Sequence, residues 1–265
     1  MPIIRVEDTG DPRLAAYGNV PDHQLLTEQG LFVAEGRLVV RRLIEARRFA
    51  ARSIMVTETA LVPLQDLLAT RPELPVYVVP QSVMNGITGF NMHRGCLAIG
   101  ERPHEYRWQD VVVGARLITA LERVGNADNV GSVFRSAAAF GVDAVLLERT
   151  CTDPLYRKAI RTSMGAALTM PFATAEPWPA VLSALARDNW MVIALTPSSR
   201  AQALREMVPA AARRRVVIVA GHEGDGVSDE AMNACTHHAR IPMTNGVDSL
   251  NVATAAAIAM YEFRY

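Results

Sequence analysis

The 265 residues carry 27 basic and 27 acidic side chains, so no global field steers a polyanion, and a nucleic-acid partner would have to meet a local basic surface. Half of the residues are hydrophobic, enough for the core of one large or two medium domains, while no run reaches the roughly 18 apolar residues of a membrane span and the N-terminal MPIIRVEDTGDPRL lacks an apolar targeting core. Cys96, Cys151 and Cys235 are far apart and form no C-x-x-C, which argues against a disulfide framework or a structural zinc and fits a cytoplasmic protein with no membrane partner.

In chain order, LFVAEG (31–36) predicts a strand ending at a glycine. RLVVRRLIEARRFAARS (37–53) predicts a helix with Leu38, Val39, Leu43, Ala46 and Ala50 on one side. On such a helix Arg37, Arg41, Arg48 and Arg52 fall at i, i+4, i+11 and i+15 and form one stripe. Like charges on one face repel, so either a polyanion covers them or they are a solvated face beside the glutamates. Lys158 is the only lysine; genomic composition bias and a demand for planar, bidentate phosphate donors both account for that. SIMVT (53–57) and VYVVP (76–80) read as buried strands, and GCLAIG (95–100) would close their sheet.

The polar ERPHEYRWQD (101–110) marks the expected boundary between domains 1–104 and 105–265. Beyond it, strands expected at 117–124, 143–148, 191–197, 216–221 and 239–243 alternate with helices at 129–141, 154–167, 179–189, 228–235 and 251–265. This order implies an α/β fold with a mostly parallel sheet, whose ligands bind in loops at the carboxyl ends of the strands.

Three such loops stand out. In ERVGNADNVGSVFRSAAAFG (122–141), Gly125 and Gly131 allow tight turning, Asp128 or Asn129 can cap the helix, and Arg135 sits two turns in. The loop is neither G-x-G-x-x-G nor a P-loop. In VVIVAGHEGDGVSDEAM (216–232), glycines surround Glu223, a backbone-lined pocket that suits amines and hydroxyls, and Ser228 or Asp229 starts a helix. In ARIPMTNGVDSLNVATAAAIAMYE (239–262), a strand ends at Pro242, a loop with Asn245, Gly246 and Asp248 follows, and Ser249 is an N-cap type residue before an alanine-rich helix. A capped surface helix, a Gly-rich turn and a buried C-terminal helix are the plainer readings of the three.

Taken together, N-x-G-x-x-x-R (Asn129, Gly131, Arg135), G-x-E-x-x-G (Gly221, Glu223, Gly226) and IPM…SLNVATAAAIAMYE from Ile241 onward resemble the three motifs of the SpoU (TrmH) RNA methyltransferases of the SPOUT superfamily, in order, over residues 117 to 265. LYRKAIRTSMGAA is similar to the family's R-x-S-x-G stretch through Arg161, Ser163 and Gly165. Less specifically, LFVAEGRLVVRRLI and the later HRGCLAIG resemble a small ribosomal-protein-like α/β RNA-binding domain.

The resemblance implies a C-terminal trefoil-knotted sheet, an exception to the no-knot rule. It implies homodimers, S-adenosyl-methionine as cofactor, no metal, and methylation of a ribose 2′-hydroxyl in RNA, ribosomal RNA ahead of transfer RNA. By similarity, the catalytic candidates are Arg135, Asn129, Ser249, Asn251 and Glu223. The cofactor candidates are Thr196, Gly221, Glu223, Gly226, Ile241, Met243 and Leu250. Arg161 joins Arg37, Arg41, Arg48 and Arg52 as an RNA-binding candidate. Arg135 is expected to hold an RNA phosphate bidentately while Asn129, Ser249 and Asn251 orient the ribose and the arginine. The His237-His238 pair beside Cys235 points to opposite sides of a strand and is a poor metal site. Three rival functions remain: an open Rossmann enzyme using Glu148, a non-catalytic RNA-binding module, and a knotted relative that methylates a base.

Overall fold

A computed structural model describes residues 3–18, 20–89, 91–92, 95–102, 106–211, 214–244 and 248–264. Asn245 and Gly246, singled out above, lie outside the described residues, as do Pro103, His104 and Glu105 of the expected boundary.

The first part of the chain runs β1 (Ile3–Arg5), α1 (Asp22–Gln29), β2 (Leu31–Glu35), α2 (Arg37–Ala46), β3 (Ala50–Val56), α3 (Glu58–Leu61), α4 (Gln65–Ala69), β4 (Val76–Val78), α5 (Gln81–Thr88) and β5 (Cys96–Glu101). The second part runs α6 (Trp108–Val111), β6 (Leu117–Leu121), α7 (Ala127–Phe140), β7 (Ala144–Leu147), α8 (Arg157–Thr162), β8 (Phe172–Thr174), α9 (Ala180–Arg187) and β9 (Trp190–Leu195). It ends with β10 (Gln202–Ala203), α10 (Leu204–Ala211), β11 (Arg215–Ala220), α11 (Asp229–Ala234), β12 (His237–Arg240) and α12 (Val252–Phe263).

By contacts the chain divides into two compact units, Met1–His104 with Leu155–Thr169, and Glu105–Pro154 with Met170–Tyr265. The expected boundary between 104 and 105 therefore needs one change: Leu155–Thr169 goes with the first unit. Burial explains it, since Leu155, Ala159, Ile160, Ala166, Ala167 and Leu168 of this segment are buried. Arg157 N donates to Asp22 Oδ2 at 2.8 Å, and Arg42 Nη1 to the Met164 carbonyl at 2.7 Å. The expected helix 154–167 is accordingly a short α8 and a 3-10 turn, Ala166–Leu168. In between, the buried Ser163 hydroxyl donates to the Ile160 carbonyl and Gly165 takes a left-handed φ of 82°. The R-x-S-x-G stretch is thus a structural turn carrying an exposed Arg161.

In the first unit the strands are ordered β1-β4-β3-β5-β2, with β5 antiparallel to both neighbours. The helix expected over 37–53 stops at Ala46, and Arg47 turns the chain with φ 54°. Burial of Phe49, edge-on to Phe32 with centroids 5.4 Å apart, and pairing of β3 with β5 outweigh helix continuation. α2 buries Val39, Val40, Leu43 and Ile44, while Leu38, expected inside, is 45% exposed. The four-arginine stripe therefore does not exist: Arg37 and Arg41 are on α2, Arg48 follows it and Arg52 is on β3.

In the second unit seven strands are ordered β10-β12-β9-β11-β6-β7-β8, every pairing parallel. All residues of β6 and β7 and most of β9 and β11 are buried, as strands covered on both faces must be. β8, β10 and α10 were not anticipated. β12 stops at Arg240, short of the expected 243, so Ile241–Met243 is loop.

Candidate active site

The loops after β6, β9, β11 and β12 all leave the carboxyl ends of neighbouring parallel strands, which is where such sheets place ligands. The turn after β11 is the most constrained. A Cβ on Gly221 would lie 2.3 Å from the Gly226 carbonyl carbon, so the backbone needs a glycine there. His222 and Gly226 exchange two main-chain hydrogen bonds of 3.0 Å, and Gly226 adopts φ 73°. Inside the turn His222 Nδ1 accepts from the amides of Gly224 and Asp225, both at 3.1 Å. Ser228 caps α11, as expected.

The side chain of Glu223 is held from the β6–α7 loop. Its Oε1 accepts from Asn129 Nδ2 at 2.9 Å and from the Asn126 amide at 3.3 Å. Asn129 Oδ1 in turn accepts from Asn251 Nδ2 at 2.9 Å. Asn251 Oδ1 accepts from the amides of Ala253 (2.9 Å) and Thr254 (3.3 Å) at the start of α12. The donors fix every amide orientation: helix amides demand an oxygen from Asn251, which leaves its nitrogen for Asn129, whose own nitrogen then faces the carboxylate. Partial burial would raise the Glu223 carboxyl, but the hydrogen bonds from Asn129 and the backbone, with nearby His222, outweigh it and hold the group below its ordinary value. Two expectations are corrected here. α7 is capped by Asn126 rather than Asp128 or Asn129, and α12 by Asn251 rather than Ser249.

Beside Glu223 lies a cavity of about 140 Å³. All seven cofactor candidates, Thr196, Gly221, Glu223, Gly226, Ile241, Met243 and Leu250, line it, and so does Ser249. Asp225 also lines it, so Glu223 is not its only carboxylate; Asp225 faces Arg123 at 3.7 Å. Arg123 has φ 54° in the β6–α7 loop. Its role, like the Asn126 cap and the His222 brace, was not foreseen. The Asn-Ala-Asp run before Asn129 was the available signal for the cap, being equally good at three positions.

Arg135 is exposed on α7 and is not joined to the Glu223–Asn129–Asn251 chain among the described residues. Of the other arginine candidates, Arg41 donates to Asp66 at 3.0 and 3.1 Å and lies 3.3 Å from Glu45. Arg52 is 3.9 Å from Glu101, and Arg48 lies over the Phe49 ring at 5.3 Å. Arg37 is exposed at the start of α2. Burial pushes the thiols of Cys96, Cys151 and Cys235 up to about 12, so none supplies a thiolate at neutral pH. His237 Nδ1 pairs with Thr236 and His238 Nε2 with the Met232 carbonyl.

Residues 116–261 match the model of the SpoU rRNA Methylase family. The chain is 41% identical over 261 residues to an uncharacterized tRNA/rRNA methyltransferase, Rv0881, of Mycobacterium tuberculosis H37Rv, covering 96% of this chain and 89% of that protein. It is 32% identical over 199 residues to the 23S rRNA (guanosine-2′-O-)-methyltransferase RlmB of Bordetella pertussis, covering 73% and 79% respectively. A solved RNA 2′-O ribose methyltransferase superposes with a TM-score of 0.76 at 27% identity, covering 98% of this chain and 97% of that one.

Proposed function

Because the chain belongs to the SpoU rRNA methylase family, we propose that it transfers a methyl group from S-adenosyl-methionine to a ribose 2′-hydroxyl of RNA, in ribosomal rather than transfer RNA. The observation that carries this reading is the amide chain from α12 through Asn251 and Asn129 to Glu223, set beside a cavity lined by the seven candidate residues. The lining fits the cofactor. Backbone at Gly221 approaches where any Cβ would intrude, Leu195, Ile241 and Leu250 offer an apolar bed for an adenine, and carboxylates suit an ammonium and ribose hydroxyls. When bound, the cofactor supplies a methyl on a sulfonium that departs as a neutral thioether.

The chain's own residues then align the acceptor and handle one proton. Asn129 and Asn251 spend their amides on each other and on Glu223, so their task is to hold the cavity wall. The exposed guanidinium of Arg135 takes an RNA phosphate with its planar fork, placing the neighbouring hydroxyl and a phosphate oxygen that receives its proton. Ser249, on the cavity wall, faces the ribose.

Assembly belongs to the same proposal. α7 and α12 carry between them a groove of about 490 Å³ lined by small residues, among them Ser132, Ser136, Ala253 and Ala257, with Tyr261 half exposed. Small residues let helices approach closely, which supports a homodimer through this face. A trefoil knot in the C-terminal segment, supported by the placement of β11 between β6 and β9, and a cytoplasmic location complete the reading.

The test is incubation of the full chain with methyl-labelled cofactor and total RNA from a strain lacking the modification, followed by mapping of the label. Label on a ribose of ribosomal RNA is expected; label on transfer RNA moves the substrate, label on a base overturns the ribose assignment, and no transfer leaves a non-catalytic RNA binder. A monomeric mass by light scattering at micromolar concentration would remove the dimer.

A further inference from the structure

Glu122, the residue after β6, has no part in the proposed transfer, although it is 3% exposed and three donors converge on it. Trp178 Nε1 donates to Oε1 at 2.8 Å, the Ser228 hydroxyl to Oε1 at 2.7 Å and the Ser228 amide to Oε2 at 2.8 Å. A buried carboxylate is costly unless its lone pairs are filled, and here Ser228 fills two of the three places and Trp178 the third. Because the ionised group only accepts, the Ser228 hydroxyl must donate to it, and its lone pairs stay free to cap Ala231 N at 3.2 Å. On the main chain, Glu122 N donates to the Ala220 carbonyl at 2.9 Å. One residue thus grips both feet of the turn after β11, Ala220 by backbone and Ser228 by side chain. Between those feet lie Gly221, Glu223 and Gly226 of the cavity wall, while Glu122 itself is not among the lining residues.

We propose that Glu122 is a positioning residue: its carboxylate sets the span between Ala220 and Ser228, and through that span the placement of Glu223 and the backbone that receive the cofactor. The proposal rests on the cofactor assignment above for its binding readout, and on the turn's geometry for the rest. Glu122→Gln keeps size and removes the logic. A carboxamide has one accepting oxygen, so in either orientation its NH2 faces a donor, at the Ser228 amide or at Trp178 Nε1. A residue that fills space would tolerate this swap.

The experiment measures cofactor Kd by calorimetry, KM and kcat, and amide hydrogen exchange at Gly226 and Ser228, in the full chain. For Glu122→Gln we expect Kd and the cofactor KM to rise about tenfold, kcat at saturation to stay within about twofold, and both amides to lose protection. Ser228→Ala, which keeps the amide bond and loses the hydroxyl, should move the same way by less, and the double variant should be no worse than Glu122→Gln alone. Should Glu122→Gln fail to fold, Ser228→Ala alone decides, an unchanged Kd and unchanged protection overturning the proposal. A fall in kcat with Kd unchanged also overturns it. If the wild type binds no cofactor, the cofactor assignment fails, while the exchange of Gly226 and Ser228 still judges the clamp.

Discussion

The turn Gly221–Gly226 and the segment Arg37–Arg52 are both dense in candidate ligand-binding residues, and they are built in opposite ways. In the turn, each group answers to several others: a forbidden Cβ, a two-way backbone bridge, a braced imidazole and a carboxylate held twice from the β6–α7 loop. In the arginine segment, Arg41 is tied to Asp66 and Glu45 and Arg52 distantly to Glu101 by exposed ion pairs, and Arg42 to the Met164 carbonyl. The turn can define a cavity because each of its ties fixes a different atom of the wall. The exposed ion pairs of Arg41 and Arg52 are of the kind that a charged partner can replace.

The largest expected effect concerns the arginine left open on the second unit. Arg135→Ala should lower kcat by about 10² to 10³ while leaving cofactor affinity nearly intact, since the lost contact is made in the transition state. Arg135→Lys should rescue poorly for want of a planar fork. Steady-state kinetics with calorimetry decide; retention of most of kcat, or a matching loss of cofactor affinity, would sink the assignment. Next comes the over-determined turn. Gly221→Ala drives a methyl into the Gly226 carbonyl, and we expect a loss of about 1–3 kcal/mol in urea unfolding together with loss of cofactor binding. If both are unchanged, the turn is looser than its ties imply.

Smaller effects sharpen the contrast. The folded Glu223 carboxyl sits below its ordinary 4.5, so its contribution to stability is complete above that pH and disappears as pH falls through the folded value. Asn129→Ala should raise the Glu223 pKa and shrink that window, as carbon-detected NMR titration of the side chain would register; an unmoved titration would mean that the amide chain does not bias the carboxylate. The smallest effect should come from Arg41→Ala. Its ion pairs are exposed and screened by solvent, so stability should hardly change, and because the guanidinium is engaged with two carboxylates, the change in RNA affinity should be slighter than for Arg37→Ala. Filter-binding salt series on the two variants would test the order.

These two regions also differ in how far the sequence discloses them. The glycines of G-x-E-x-x-G could be read because their requirement is local: Gly221 and Gly226 serve backbone geometry within one turn. The arginine stripe failed because it depended on carrying a helical period past Ala46, and a single residue, Arg47, ended the period so that Phe49 could be buried. The central strands were legible as apolar runs. The cap of α7 was not, because Asn126, Asp128 and Asn129 are chemically equivalent caps until Glu223 claims Asn129. Glu122 was invisible for a related reason: what marks it is convergence of Trp178 and Ser228, more than 50 residues away.

The assignment of Leu155–Thr169 to the first unit changes the order in which the protein can be completed during synthesis. The ribosome finishes residue 104 well before it has made this segment, whose buried Ala159, Ile160 and Leu168 belong to that unit's packing. At about 5–20 residues per second, the nascent chain waits on the order of several seconds, with β6, α7 and β7 emerging in the meantime, before the first unit can close. Slow codons or chaperone capture between residues 104 and 169 would therefore act on the folding yield of the N-terminal unit, and a truncation at residue 104 would yield a unit with part of its apolar packing missing.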